Sequence, residues 1–200
     1  IYGDPAARLA GTDTRKTFIE VLDLICSSHS SYHLVLTGDI SMDGSEASYR
    51  WIFEQLKSRN QTYSILPGNH DSIESWGSIF SEVSSDFPTF ALVEPWKFVY
   101  LNTQVQNEEY GQVCSESLKF LRSHTTAEDT SFLVIFMHHP PFSVGSKWID
   151  KIGLKAGKDE FLRLIQHPKI KLVVSGHVHQ ESQMEIGTVK LVTSPSTCVQ

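Results

Sequence analysis

The sequence predicts a layered α/β domain, and three observations carry that expectation. Short apolar runs of strand length alternate with stretches whose apolar residues recur at helical period. No internal repeat or low-complexity linker interrupts the alternation, so a single domain is expected over residues 1–200. Four of the apolar runs end in a polar cluster: Gly38-Asp39, Gly68-Asn69-His70-Asp71, His138-His139-Pro140-Pro141 and Gly176-His177-Val178-His179.

Taken in order, Ile1 to Gly11 reads as a loop. Asp13 or Thr14 caps a helix whose apolar positions are Phe18, Val21, Leu22 and Ile25. Leu34 to Leu36 is a compact strand. Asp43, with Glu46 three residues on, is a helix start signal. The helix that follows carries Tyr49, Ile52, Phe53 and Leu56 on one face. Tyr63 to Leu66 is the next strand, and a short helix with Ile73, Trp76, Ile79 and Phe80 comes after it. Phe98 to Leu101 is a strand, Gln104 to Gly111 a polar loop, and Ser115 caps a helix bearing Leu118 and Leu121. Phe132 to Met137 is a strand. A long loop with Gly145, Trp148 and Gly153 leads to a helix over Glu160–Gln166. Ile170 to Val174 and Val189 to Val192 are the last strands, close enough in sequence to leave room for antiparallel pairing.

Composition removes several function classes. The chain is 40% hydrophobic, enough for a real core. Its net charge of −6 and the lack of a basic stripe argue against a nucleic-acid partner. The longest apolar runs are far too short to cross a bilayer, so no membrane partner is expected. Cys26, Cys114 and Cys198 are odd in number and widely separated, which suits a reducing, cytoplasmic setting and neither a disulfide scaffold nor a zinc ribbon. The sequence has no phosphate-binding glycine loop with Lys-Ser/Thr, no G-x-S-x-G elbow and no dinucleotide fingerprint.

The polar clusters share one address, just past a strand. Ligands of open α/β sheets bind outside the carboxyl ends of strands, so a common sheet would gather all four. Asp39 after Gly38 is either a turn residue or a ligand carboxylate. Asn69 can offer a carbonyl oxygen to a metal, with His70 facing the substrate and Asp71 holding its imidazole; a turn into a helix cap is the plainer reading. Consecutive residues at a strand end face opposite ways, so one of His138 and His139 can ligate while the other packs; His138 is chosen as the ligand. In extended backbone His177 and His179 point to the same side. One carboxylate, one amide and three imidazoles without a thiolate suit Mn, Fe or Zn. Asp39 has two oxygens and can bridge two ions about 3.5–4 Å apart.

In order and spacing, the four clusters resemble the signature of the calcineurin-like metallophosphoesterases, over nearly the whole chain. Gly38-Asp39 through Tyr49, Ser146-Lys147-Trp148-Ile149-Asp150 and Ser194-Pro195-Ser196-Thr197-Cys198-Val199-Gln200 are similar to the bacterial class III 3′,5′-cyclic-AMP phosphodiesterases. The resemblance implies an α/β/β/α sandwich around a two-metal site. It implies that Asp39 bridges the ions, that Asn69, His138 and His177 complete one of them, and that His179 serves the other. His70 would contact phosphate or protonate the leaving oxygen, with Asp71 orienting it.

The family opens with a strand ending in Asp-x-His, which supplies two ligands to the second ion. This sequence starts at Ile1 without that motif and stops before the family's last strands. An internal piece of a longer protein is therefore expected, with the second ion left to Asp39, His179 and water. The implied activity is hydrolysis of 3′,5′-cyclic AMP to 5′-AMP by a metal-bridging hydroxide that attacks in line. Asn69, His70, His179 and Trp148 would contact the substrate, with Trp148 either stacking on a base or packing its own loop. The alternatives are another phosphoester, such as a different cyclic nucleotide or a glycerophosphodiester, and an inactive, metal-poor fragment. The partner is thus a small molecule, with two divalent or mixed-valence ions (Fe or Mn first, then Zn) as cofactor. The exposed loop Gln104 to Gly111 would permit a homodimer.

Overall fold

A computed structural model describes residues 1–60, 62–80, 86–126 and 130–199. Helix α1, Thr14–Ser28, starts where the Asp13 carboxylate accepts the Lys16 N–H. Its Phe18 and Leu22, one turn apart, are buried. Helix α2, Glu46–Ser58, is capped by Ser45, whose hydroxyl accepts the Ser48 N–H. The start signal read at Asp43 is therefore displaced by two residues. The Asp43 carboxylate instead accepts the Gly3 N–H at 2.8 Å and the Ser45 hydroxyl at 2.7 Å, and so shapes the loop ahead of the helix.

The two helices share one apolar cluster with a parallel strand pair, β1 His33–Leu36 and β2 Thr62–Ile65. The short helix α3, Ile73–Gly77, adds Trp76 to that cluster, and the residues after it add Ile79 and Phe80.

A second sheet has six strands in the order β3-β4-β6-β8-β10-β9. Its centre is parallel: β4 Trp96–Leu101, β6 Phe132–Met137, β8 Ile170–Ser175 and β10 Val189–Thr193. The edges, β3 Thr89–Val93 and β9 Ser182–Ile186, are antiparallel. Period-two alternation gives this sheet two apolar faces. Val99, Leu101, Leu133, Ile135, Met137, Val173 and Leu191 pack with Leu118 and Leu121 of α4, Ser115–Thr126, and with Phe161 of α5, Lys158–Leu164. The alternate residues Phe98, Tyr100, Val134, Phe136, Leu172 and Val174 pack with Val35 and Leu66 from the first pair. The layers therefore run helix, sheet, sheet, helix, as the family resemblance implied.

Three features differ from the sequence expectation. The four polar clusters do not hang on one common sheet, since Asp39 and Asn69 follow strands of the pair and His138 and His177 follow strands of the six. No element is expected from the sequence at strands β3 and β9. A small parallel pair, β5 Gly111–Gln112 with β7 Leu154–Ala156, joins the end of the expected polar loop to the expected long loop. Gln200, the last residue of the carboxyl-terminal motif, lies outside the described residues.

Candidate metal centre

Facing the two sheets brings their strand ends together. His138 Nε2 lies 3.2 Å from Asp39 Oδ2, 3.2 Å from Asn69 Oδ1 and 3.2 Å from His177 Nδ1. The other nitrogen of this ring, Nδ1, donates to the Thr37 carbonyl at 2.7 Å. In a neutral imidazole only one nitrogen carries hydrogen, so Nε2 turns a lone pair inward. Three further lone-pair donors face it. Ligands bound about 2.1 Å from one cation sit about 3.0–3.4 Å from one another in octahedral or tetrahedral arrangement. The observed spacing fits that requirement, and two oxygens with two imidazole nitrogens suit Mn, Fe or Zn.

The local backbone is built for this approach. Asp39 has φ 52°, His177 φ 67° and His179 φ 59°. A left-handed conformation is uncommon outside glycine and concentrates at functional sites. His177 and His179 are thus delivered by two left-handed residues around the buried Val178, not by the extended backbone that the sequence suggested. Gly68 is required by close packing, because a Cβ there would run into the Asp39 carboxylate.

Charge is arranged to match. Burial opposes ionisation of Asp39, but the adjoining His138 ring and the His70 N–H outweigh it and hold the carboxyl well below the usual range. Burial works against a charge on His138 too, yet Asp39 raises its pKa overall. Burial, with the His138 charge beside it, brings His177 down to about 4, so this ring is neutral at pH 7. A carboxylate, an amide oxygen and a neutral imidazole thus surround one nitrogen that holds either a proton or a cation.

His70 and Asp71 take different places. His70 is exposed, and its backbone N–H donates to Asp39 Oδ1 at 3.0 Å. The Asp71 carboxylate is buried and accepts from Ile40 N–H at 3.2 Å, Ser41 N–H at 2.9 Å, Gly68 N–H at 2.9 Å and Tyr49 O–H at 3.0 Å. Among the described residues no hydrogen bond joins it to the His70 ring. The expected orienting role is therefore corrected: the carboxylate satisfies buried amides of both loops and clamps the Asp39 loop to the Asn69 loop.

His139 is a further histidine close to the cluster, with a ring nitrogen within 4.8 Å of ligand atoms on His138 and His177. Both its nitrogens are engaged, by Thr103 and by the Glu109 carbonyl. Burial, with His138 and His177 nearby, brings its pKa down to about 2. Thr103 escaped the sequence reading; its place one residue beyond Asn102, at the end of a strand, was the available signal. His179 is half-buried and, with Asp39, His138 and His177, lines a cavity of 410 Å³ that continues between α1 and β1. Trp148 is 64% exposed, at the start of a one-turn 3₁₀ helix, Ile149–Lys151, and is not among that cavity's lining residues.

Residues 2–181 match the family described as calcineurin-like phosphoesterase. A 3′,5′-cyclic-nucleotide phosphodiesterase from Nostoc is 34% identical over 202 residues, covering 100% of this chain and 76% of that protein. A 3′,5′-cyclic adenosine monophosphate phosphodiesterase, CpdA, from Pseudomonas aeruginosa is 31% identical, covering 100% of this chain and 74% of its own. Among solved structures, a dimetal phosphatase from Danio rerio superposes with a TM-score of 0.72 at 15% identity, over 92% of this chain and 78% of that one. GAP50, the anchor in the inner membrane complex of Plasmodium, gives 0.66 at 13% identity, over 98% and 70%. The last two establish the fold alone. With the match across residues 2–181 and a likeness to the Nostoc and Pseudomonas enzymes that covers the whole of this chain, the chain belongs to the calcineurin-like phosphoesterases, a family of phosphoric ester hydrolases.

Proposed function

We propose that this chain hydrolyses a phosphodiester, with 3′,5′-cyclic AMP as substrate, at the centre formed by Asp39, Asn69, His138 and His177. The observation that carries the reading is the convergence of three donor atoms on His138 Nε2, each at 3.2 Å. The substrate follows from relatives that carry the names of cyclic-nucleotide phosphodiesterases along this chain's whole length.

Asp39 Oδ2, Asn69 Oδ1, His138 Nε2 and His177 Nδ1 would hold one ion, Fe or Mn before Zn. Asp39 and His179 would contribute to a second. When bound, the pair supplies a water acidified toward neutral pH and positive charge for the phosphoryl oxygens. The chain's own groups do the rest. Thr37 fixes the His138 ring by accepting its Nδ1–H, so that only Nε2 faces inward. Asp71 holds the two acidic-side loops at one separation, which keeps Asp39 and Asn69 aligned with the histidines. His70, an exposed residue next to Asn69, would touch a phosphoryl oxygen or hand a proton to the leaving O3′. Trp148, on the exposed loop after the His-Pro motif, offers a ring on which an adenine can stack. Among the described residues no helix is long and apolar enough to cross a membrane.

Turnover of cyclic AMP and of bis-p-nitrophenyl phosphate with added Mn tests the proposal. Asn69→Ala and His138→Ala are expected to lower both activities by orders of magnitude. Turnover unchanged in either variant would remove the site assignment. Turnover of the synthetic diester without cyclic AMP would shift the substrate to another phosphoester while keeping the site.

A further inference from the structure

The proposed chemistry leaves His139 without a task, although it is completely buried at the centre of the histidine group. Its ring centroid lies 4.8 Å from that of His138 and 4.6 Å from that of His177. Every polar atom of the ring is used. The Glu109 carbonyl, 3.1 Å from Nε2, can only accept, so Nε2 carries the hydrogen. Thr103 Oγ1 accepts the His139 backbone N–H at 3.3 Å and donates to Nδ1 at 2.8 Å.

These bonds close the segment between β4 and β5 around the ring. Gln112 N–H returns to the Thr103 carbonyl at 3.0 Å. Gly111 lies flush against the imidazole, and a Cβ there would collide with it. Gln104 Nε2 reaches the Asp71 carbonyl at 2.6 Å, which ties the same segment to the loop bearing Asn69 and His70.

We infer that His139 is a positioning residue of the metal centre: its bonds to Thr103 and Glu109 hold the ring as a fixed spacer behind His138 and His177 and keep it from ligating. The inference rests on the reading that His138 Nε2 and His177 Nδ1 bind metal. A spacer touching both rings sets the angle at which each presents its lone pair. A freed ring, already within 4.8 Å of those ligand atoms, would turn inward and compete for the ion. Partners that orient metal-binding groups typically matter 10–100-fold for affinity or activity.

The test compares Thr103→Val, Thr103→Ser and His139→Phe in the full chain. The readouts are Mn affinity by titration calorimetry, kcat and KM for bis-p-nitrophenyl phosphate, and the ¹⁵N shifts of the His139 ring. Thr103→Val is expected to weaken Mn binding by about 10–100-fold and to lower kcat more than it changes KM. Thr103→Ser keeps the hydroxyl and is expected to restore both. The wild-type ring is expected to show a hydrogen on Nε2 and none on Nδ1. If His139→Phe does not fold, the valine and serine variants decide the matter, since valine nearly matches threonine in shape. A lower Tm in Thr103→Val with unchanged Mn affinity would mark a purely structural role and overturn the inference. A wild-type chain that binds no Mn would overturn the metal reading and this inference together. A wild type that binds, with Thr103→Val equal to it, would overturn this inference alone.

Discussion

Replacing Asp71 by asparagine separates the clamp observed here from the orienting role that the sequence suggested. The side chain keeps its shape and loses its charge. Asp71 Oδ1 accepts from Ser41 N–H and Tyr49 O–H, and Oδ2 from Ile40 N–H and Gly68 N–H. Whichever way the amide turns, its NH₂ faces a pair of donors. Tyr49 O–H can rotate away, but a backbone N–H cannot, so at least one buried amide loses its acceptor. That costs about 1–3 kcal/mol, and the remaining bonds weaken by about 1 kcal/mol each on losing charge assistance. The sum is about 4 kcal/mol. For a chain of this size that corresponds to a fall of about 8–16 °C in Tm. Thermal unfolding measures it, and hydrogen exchange at Ile40, Ser41 and Gly68 locates it. Tyr49→Phe, which removes one donor to Asp71 and one acceptor for Ser72 N–H, is expected to cost about 1–2 kcal/mol. An Asp71→Asn chain that melts within about 1 °C of wild type would refute the clamp.

Three other expectations concern Gly68, Asp43 and His138. Gly68→Ala drives a methyl group into both the backbone nitrogen and the carboxylate of Asp39, so Mn binding should be lost and Tm should fall; retained binding at an unchanged Tm would contradict the packing. Asp43 is exposed; what burial it has opposes its charge, but bonds from Gly3, Ser45 and Ser41 bring its pKa down to about 2. A depressed acid stabilises the fold above its unfolded value near 3.9 and loses that stability as pH falls through the folded value, so urea midpoints should drop between about pH 4 and pH 2, and Asp43→Asn should flatten that drop. In the metal-free chain the raised pKa of His138 means that its protonated pairing with Asp39 stabilises the fold fully below about pH 6.5 and fades as pH rises through the folded value. Metal must displace that proton, so Mn affinity should climb with pH by up to about tenfold per unit until the folded value is passed; calorimetry that finds a flat profile would contradict the pairing.

The sequence carried the site further than it carried the architecture around it. Asp39, Asn69, His138 and His177 stood out because each follows a strand-length apolar run with a glycine or proline beside it. Their partition between two sheets was not legible, because pairing is decided by contacts between distant strands and not by local pattern. Strand β9 was missed for a local reason: Ser182–Ile186 lies at a sheet edge, with its middle three residues exposed and no apolar alternation. The hairpin of β3 and β4 was missed although Glu94-Pro95 marks its turn. Asp71 was misread because its neighbour in sequence, His70, looked like its partner, whereas its donors come from Ile40, Ser41, Tyr49 and Gly68. The left-handed backbone of His177 and His179 had no signal in residue type, since neither is glycine.

If side chains from two sheets present their donor atoms to one cation, anomalous diffraction from crystals grown with Mn will locate that cation. The expected result is a peak about 2.0–2.3 Å from each of Asp39 Oδ2, Asn69 Oδ1, His138 Nε2 and His177 Nδ1, with none against His139. A peak coordinated by His139, or no peak among these four atoms at saturating Mn, would contradict it.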